Sequence, residues 1–87
     1  MEVIEIMTQN QIVPLSELQP GARAVVERVI AKGVIRQRLV EMGFVRGAEL
    51  KVERLAPLGD PMELVIKGYH LSLRRDEGVC ILVVPEA

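Results

Sequence analysis

The chain contains one histidine and one cysteine, His70 and Cys80, ten positions apart. A thiol nucleophile needs a base within hydrogen-bond reach and a third group to orient that base. His70 is the only imidazole on offer, and it falls on a different predicted strand from Cys80. The pair meets only if those two strands are neighbours and both side chains face the same way. Otherwise Cys80 is a small core hydrophobe and His70 a solvent-facing strand residue. A tight zinc or iron site wants three or four ligands. With His70 and Cys80 as the only soft donors, the others would be carboxylates such as Glu49, Glu63, Asp76 or Glu77. No dedicated metal or other cofactor is therefore expected. A weak site for ferrous iron or zinc, with His70 as its nitrogen donor, stays open.

The stretch LAPLGDP, residues 55–61, is the other candidate for chemistry. A phosphate cradle needs several converging backbone N–H groups running into a helix. This stretch has one glycine, two prolines that remove donors, and strand-like sequence after it. A calcium loop needs several oxygen side chains at fixed spacing, and only Asp60 is present. It reads as a hairpin tip, with proline and Gly-Asp supplying the restricted and permissive backbone angles. Arg74, Arg75, Asp76 and Glu77 read as a solvated charged turn. Arg36 and Arg38, beside Glu41, give a short helix a basic face. That face is either ordinary surface or a dock for an acidic partner.

The elements that must hold these groups are short. The 87 residues make one small domain, 49% apolar, with Phe44 and Tyr69 as the only aromatics. A core of Val, Ile and Leu favours a sheet over a bundle. The net charge of -1 and the scarcity of aromatics weigh against nucleic-acid binding. A single cysteine forms no internal disulfide. No apolar run approaches the ~20 residues of a membrane span. The first residues carry glutamates where a signal peptide needs lysine or arginine, so a cytoplasmic location is expected.

Residues 1–13 read as a tail or an added edge strand, and residues 14–85 as the domain. Residues 14–21 form at most one helical turn, capped by Ser16. Residues 23–31 are a β-branched strand. Ile35, Leu39 and Met42 form an apolar stripe on a short helix. Gly43 sits where a left-handed cap is wanted, which would place Phe44 against Leu39. Alternation then predicts strands over 48–55, 62–67 and 69–73, with a final strand over 79–84 buried on both faces. Five short strands joined by tight turns suggest a small antiparallel barrel.

The segments PLSELQPG, RQRLVEMGFVRGAEL, RLAPLGDPMEL and GYHLSLRRDEG, closed by VCILV, occur in that order. Together they resemble the FeoA family of bacterial ferrous iron transport, from about Leu15 to Val84. The resemblance implies a mainly β, SH3-like antiparallel barrel with a short helix inserted after the first strand. It also implies a non-enzymatic cytoplasmic accessory that acts as a protein-interaction module on the FeoB membrane transporter, which has a GTP-binding domain. The family carries no settled metal-ligand motif to transfer. A related module forms the C-terminal domain of iron- and manganese-dependent repressors. The second expectation is accordingly a transition-metal carrier or sensor. The docking surface is expected at Arg36, Arg38 and Glu41 on the helix, with Leu58 and Gly59 at the hairpin tip. Self-association through open sheet edges is a further possibility.

Overall fold

The computed structural model describes residues 11–86. The part of the N-terminal extension at residues 1–10 lies outside them, and so does its reading as a tail or an added strand. Six antiparallel strands form one sheet: β1 (Val13–Pro14), β2 (Arg23–Val29), β3 (Glu49–Leu55), β4 (Met62–Ile66), β5 (Tyr69–Leu73) and β6 (Ile81–Pro85), in spatial order β1-β6-β2-β3-β4-β5. Two helices accompany them, α1 (Gly33–Glu41) and the single turn α2 (Arg75–Gly78). The strand beyond the five predicted is β1, two residues long at the sheet edge and paired with β6 at Val13↔Val83 and Pro14↔Leu82; it begins at Val13, the last residue of the stretch read as a tail or an added edge strand. The helix therefore follows the second strand rather than the first.

Alternation drives the sheet. Met62, Leu64 and Ile66 on β4 are fully buried, and so are Ala24 on β2, Val52 on β3 and Ile81 and Val83 on β6. Each large side chain removed from water contributes roughly 1.5–3 kcal/mol. Register shifts between Val26 and Arg28 on β2, and between Val52 and Arg54 on β3, mark irregularities. Such bulges bend a strand and raise its twist, which curls an open sheet toward a barrel. The final strand is one-sided rather than buried on both faces. Leu82 and Val84 are only half-buried, and the strand starts at Ile81 because Val79 caps α2.

The helix ends as its sequence predicts. The Phe44 N–H donates to the Leu39 carbonyl at 3.1 Å and the Gly43 N–H to Val40 at 3.0 Å, the paired bonds of a Schellman ending. Gly43 has φ +112, and Leu39 and Phe44 are both buried. The rest of the apolar stripe departs from expectation. Met42 is half-buried, while Ile35 is 55% exposed. Ser16 does not cap its turn. Pro14 holds the cap position, and Ser16 is buried inside the turn. The charged turn at residues 74–78 is helical, because the Glu77 carboxylate accepts the Arg74 N–H at 3.1 Å.

Candidate functional site

The helix residues expected to face a partner are each engaged within the fold. Arg36 donates from Nη1 to the Val29 carbonyl at 3.0 Å. Arg38 forms an ion pair with Glu77 on α2. Glu41 accepts from Gln37 Nε2 at 3.3 Å, one helical turn away. The three differ in charge left over. Arg38 is neutralised locally, whereas Arg36 bonds a neutral carbonyl and keeps its full positive charge.

The tip between β3 and β4 is a hairpin turn. The Ala56 N–H donates to Pro61 O at 3.0 Å, and the Gly59 N–H to Ala56 O at 2.8 Å. Leu58 at its apex is fully exposed and has φ +68. A branched side chain in left-handed backbone costs about 1–2 kcal/mol. Nothing in the packing repays that cost, because Leu58 touches no core. Behind the tip, the Arg75 N–H donates to Asp60 Oδ1 at 3.1 Å and its Nη1 to Gly59 O at 3.4 Å. Arg75 opens α2 and Glu77 ends its acidic run. The short helix thus ties Gly59 and Asp60 on one side to Arg38 on the other.

His70 and Cys80 are kept apart by topology. β5 pairs with β4, while β6 lies between β1 and β2. Cys80 Sγ points to the Asp76 carbonyl at 3.9 Å and is half-buried. His70 instead meets Glu53, with Nδ1 2.8 Å from Oε1. Glu63 and Ser72 line the same open depression, of about 340 Å³. Glu63 is taken by Arg54 Nη2 at 2.7 Å, a hydrogen bond that holds the guanidinium above its ordinary pKa. Glu53 was not among the sequence candidates as a partner of His70. The shift in pairing between Val52 and Arg54 alters the register there, and strict alternation carries no signal of it. Among the described residues no three His, Cys, Asp or Glu side chains converge on one point. The donor set does not fit a tight metal centre. Two donors could hold an ion only with water completing its shell.

The FeoA domain model matches residues 13–85. The chain belongs to the FeoA domain family. It is 48% identical over 69 residues to an Fe(2+) transport protein A/Fe(2+) transporter FeoB fusion protein of Porphyromonas gingivalis. That match covers 79% of the chain and 8% of the fusion protein. The solution structure of the FeoA protein from Chlorobium tepidum superposes with a TM-score of 0.79 at 49% identity, covering 86% of this chain and 71% of that one. The Stenotrophomonas maltophilia FeoA, a procaryotic SH3 domain protein crystallised with zinc, gives 0.72 at 34% identity, covering 83% and 93%. A manganese-dependent transcriptional repressor shares the fold alone, with a TM-score of 0.78 at 18% identity over 85% of this chain and 36% of that one. The FeoA fold here is thus SH3-like, mostly β with the short helix α1 and the single turn α2. No helix among the described residues is long and apolar enough to cross a membrane.

Proposed function

We propose that this FeoA-family protein is a non-enzymatic accessory of ferrous iron uptake that works in the cytoplasm by docking on the GTP-binding portion of a FeoB-type transporter. The observation that carries the reading is the fusion protein of Porphyromonas gingivalis, in which a segment 48% identical to this chain shares one polypeptide with FeoB. Covalent fusion gives two modules a permanent high effective concentration. Where the two modules lie on separate chains the same state is reached by affinity, which requires an exposed surface. Leu58 and Gly59 at the hairpin tip, with Arg38 joined to the tip through α2 and with Arg36 and Glu41 on the same helix as Arg38, form the surface we assign. Titrating the isotope-labelled protein with the cytoplasmic domain of its transporter tests this. Resonance shifts at residues 58–59 are expected, and the absence of any shift well above micromolar concentration overturns the reading.

A second reading rests on the contact of His70 with Glu53. The zinc complex of the Stenotrophomonas maltophilia relative shows that zinc can associate with that protein. Here His70 and Glu53 would provide a weak, exchanging site for ferrous iron or zinc, as a carrier or sensor. Anaerobic calorimetry on the protein and on His70→Ala decides it. Equal heats in the two would remove His70 from any metal role.

A further inference from the structure

Four large apolar side chains are exposed at one corner of the fold: Ile30 at 51%, Val34 at 80%, Ile35 at 55% and Val79 at 51%. The backbone holds this corner together. The Ile30 N–H donates to the Cys80 carbonyl at 2.8 Å, which sets Ile30 opposite the residue that follows Val79. Residues 31 and 32 then lead directly into α1. Ile35 lies one turn before Arg38, whose partner Glu77 stands two residues before Val79. Ile35 also shares its helix face with the buried Leu39, four residues on. It turns toward the body of the protein, yet more than half of it is uncovered.

On the β2–α1 side of this corner the charge has one sign, while Asp76 and Glu77 lie on the α2 side. Between Arg28 and Val40 the chain carries Arg28, Lys32, Arg36 and Arg38 and no carboxylate. Arg38 is neutralised by Glu77, but among the described residues Arg28, Lys32 and Arg36 form no ion pair. The first turn of α1 has no acidic residue and no capping side chain, so its dipole adds to the positive field. Arg28 and Arg36 line one open groove of about 370 Å³ beside the helix, together with Glu27 and Arg46, which pair with each other at 3.5 Å. In a chain of net charge -1, an apolar centre flanked on its β2–α1 side by three unpaired cations is a local specialisation.

We infer that this corner receives an amphipathic segment of the transporter's cytoplasmic part, one presenting apolar side chains flanked by carboxylates. The inference rests on the docking reading above and names the chemistry of the partner. Apolar groups of the segment cover Val34 and Ile35, and its carboxylates meet Lys32, Arg28 and Arg36. A basic segment is repelled. A neutral apolar one strands three cations out of water, which is costly. The corner is continuous with the hairpin tip, because α2 touches both.

The experiment is a titration of the isotope-labelled full chain with the transporter's cytoplasmic domain. Shifts at residues 30, 34, 35 and 79 are expected alongside those at the tip. Ile35→Asp, whose own spectrum stays folded because the site is exposed, weakens binding at least tenfold. Lys32→Glu weakens it several-fold, and raised salt erodes the difference through screening. Shifts at residues 58–59 with none at the corner overturn this inference and leave the docking reading standing. No shift anywhere overturns both. Two controls name other occupants. If a chain lacking residues 1–10 shifts the corner resonances without any partner, the corner binds its own N-terminal segment. If vesicles of anionic phospholipid alone shift them, it binds lipid. Either result overturns the assignment.

Discussion

The two ends of α1 are built on opposite terms. At its C-terminal end the backbone is closed by two bonds from Gly43 and Phe44, and Tyr69 Oη donates to the Met42 carbonyl at 2.7 Å. Leu39 and Phe44 are out of contact with water there. At its N-terminal end no side chain caps the helix, and Val34 and Ile35 stand in solvent. One nine-residue helix therefore carries its stability at one end and an unspent apolar surface at the other. Elements that hold a fold together bury what they have, and elements that recognise a partner keep some of it back.

The sharpest way to break this contrast is at the closed end. Phe44→Ala removes the largest buried side chain of the domain and is expected to cost about 3–5 kcal/mol. In so small a domain, urea denaturation should show most of the stability gone. A cost under about 1 kcal/mol would mean that the closed end is no anchor. Gly43→Ala comes next. The position is left-handed, and an added Cβ would lie 3.1 Å from Tyr69 Oη. A loss of about 1–2 kcal/mol is expected from the backbone alone, read as a lower midpoint at unchanged slope.

The closed end was legible in the sequence because its determinants are local. A glycine after an apolar stripe, followed by an aromatic, is enough to specify the cap. The hairpin tip was legible for the same reason, with prolines and Gly-Asp between alternating runs. The open end was not, because Ile35 obeys the same spacing as Leu39 and periodicity assigns both to the core. Only the tertiary path of the helix separates them, and that path depends on which strands lie beneath it. The contact of His70 with Glu53 escaped for a related reason, since an irregular register leaves alternation formally intact. β1 was hidden by its length, two residues with a proline, which no periodic signal resolves. Arg36, Arg38 and Glu41 were expected to dock a partner on the strength of charge alone. The structure adds that their charges are spent unequally, and so moves attention toward Lys32 and Arg28.

The smallest expected effect sits at the open end and bears most directly on the comparison. Val34 is 80% exposed in the first turn of α1, so truncating it empties no cavity. Valine is also a weaker helix former than alanine, because its branched side chain loses rotamer freedom against the preceding turn. Val34→Ala should therefore raise stability by a few tenths of a kcal/mol, seen as a slightly higher urea midpoint. The same change takes two methyl groups from the corner and should weaken docking several-fold. A residue whose removal improves the fold and impairs recognition is one the fold does not need. If the midpoint fell by about 1 kcal/mol or more, well outside the range for an exposed site, Val34 would be a structural contact and the two ends of α1 would no longer differ in kind.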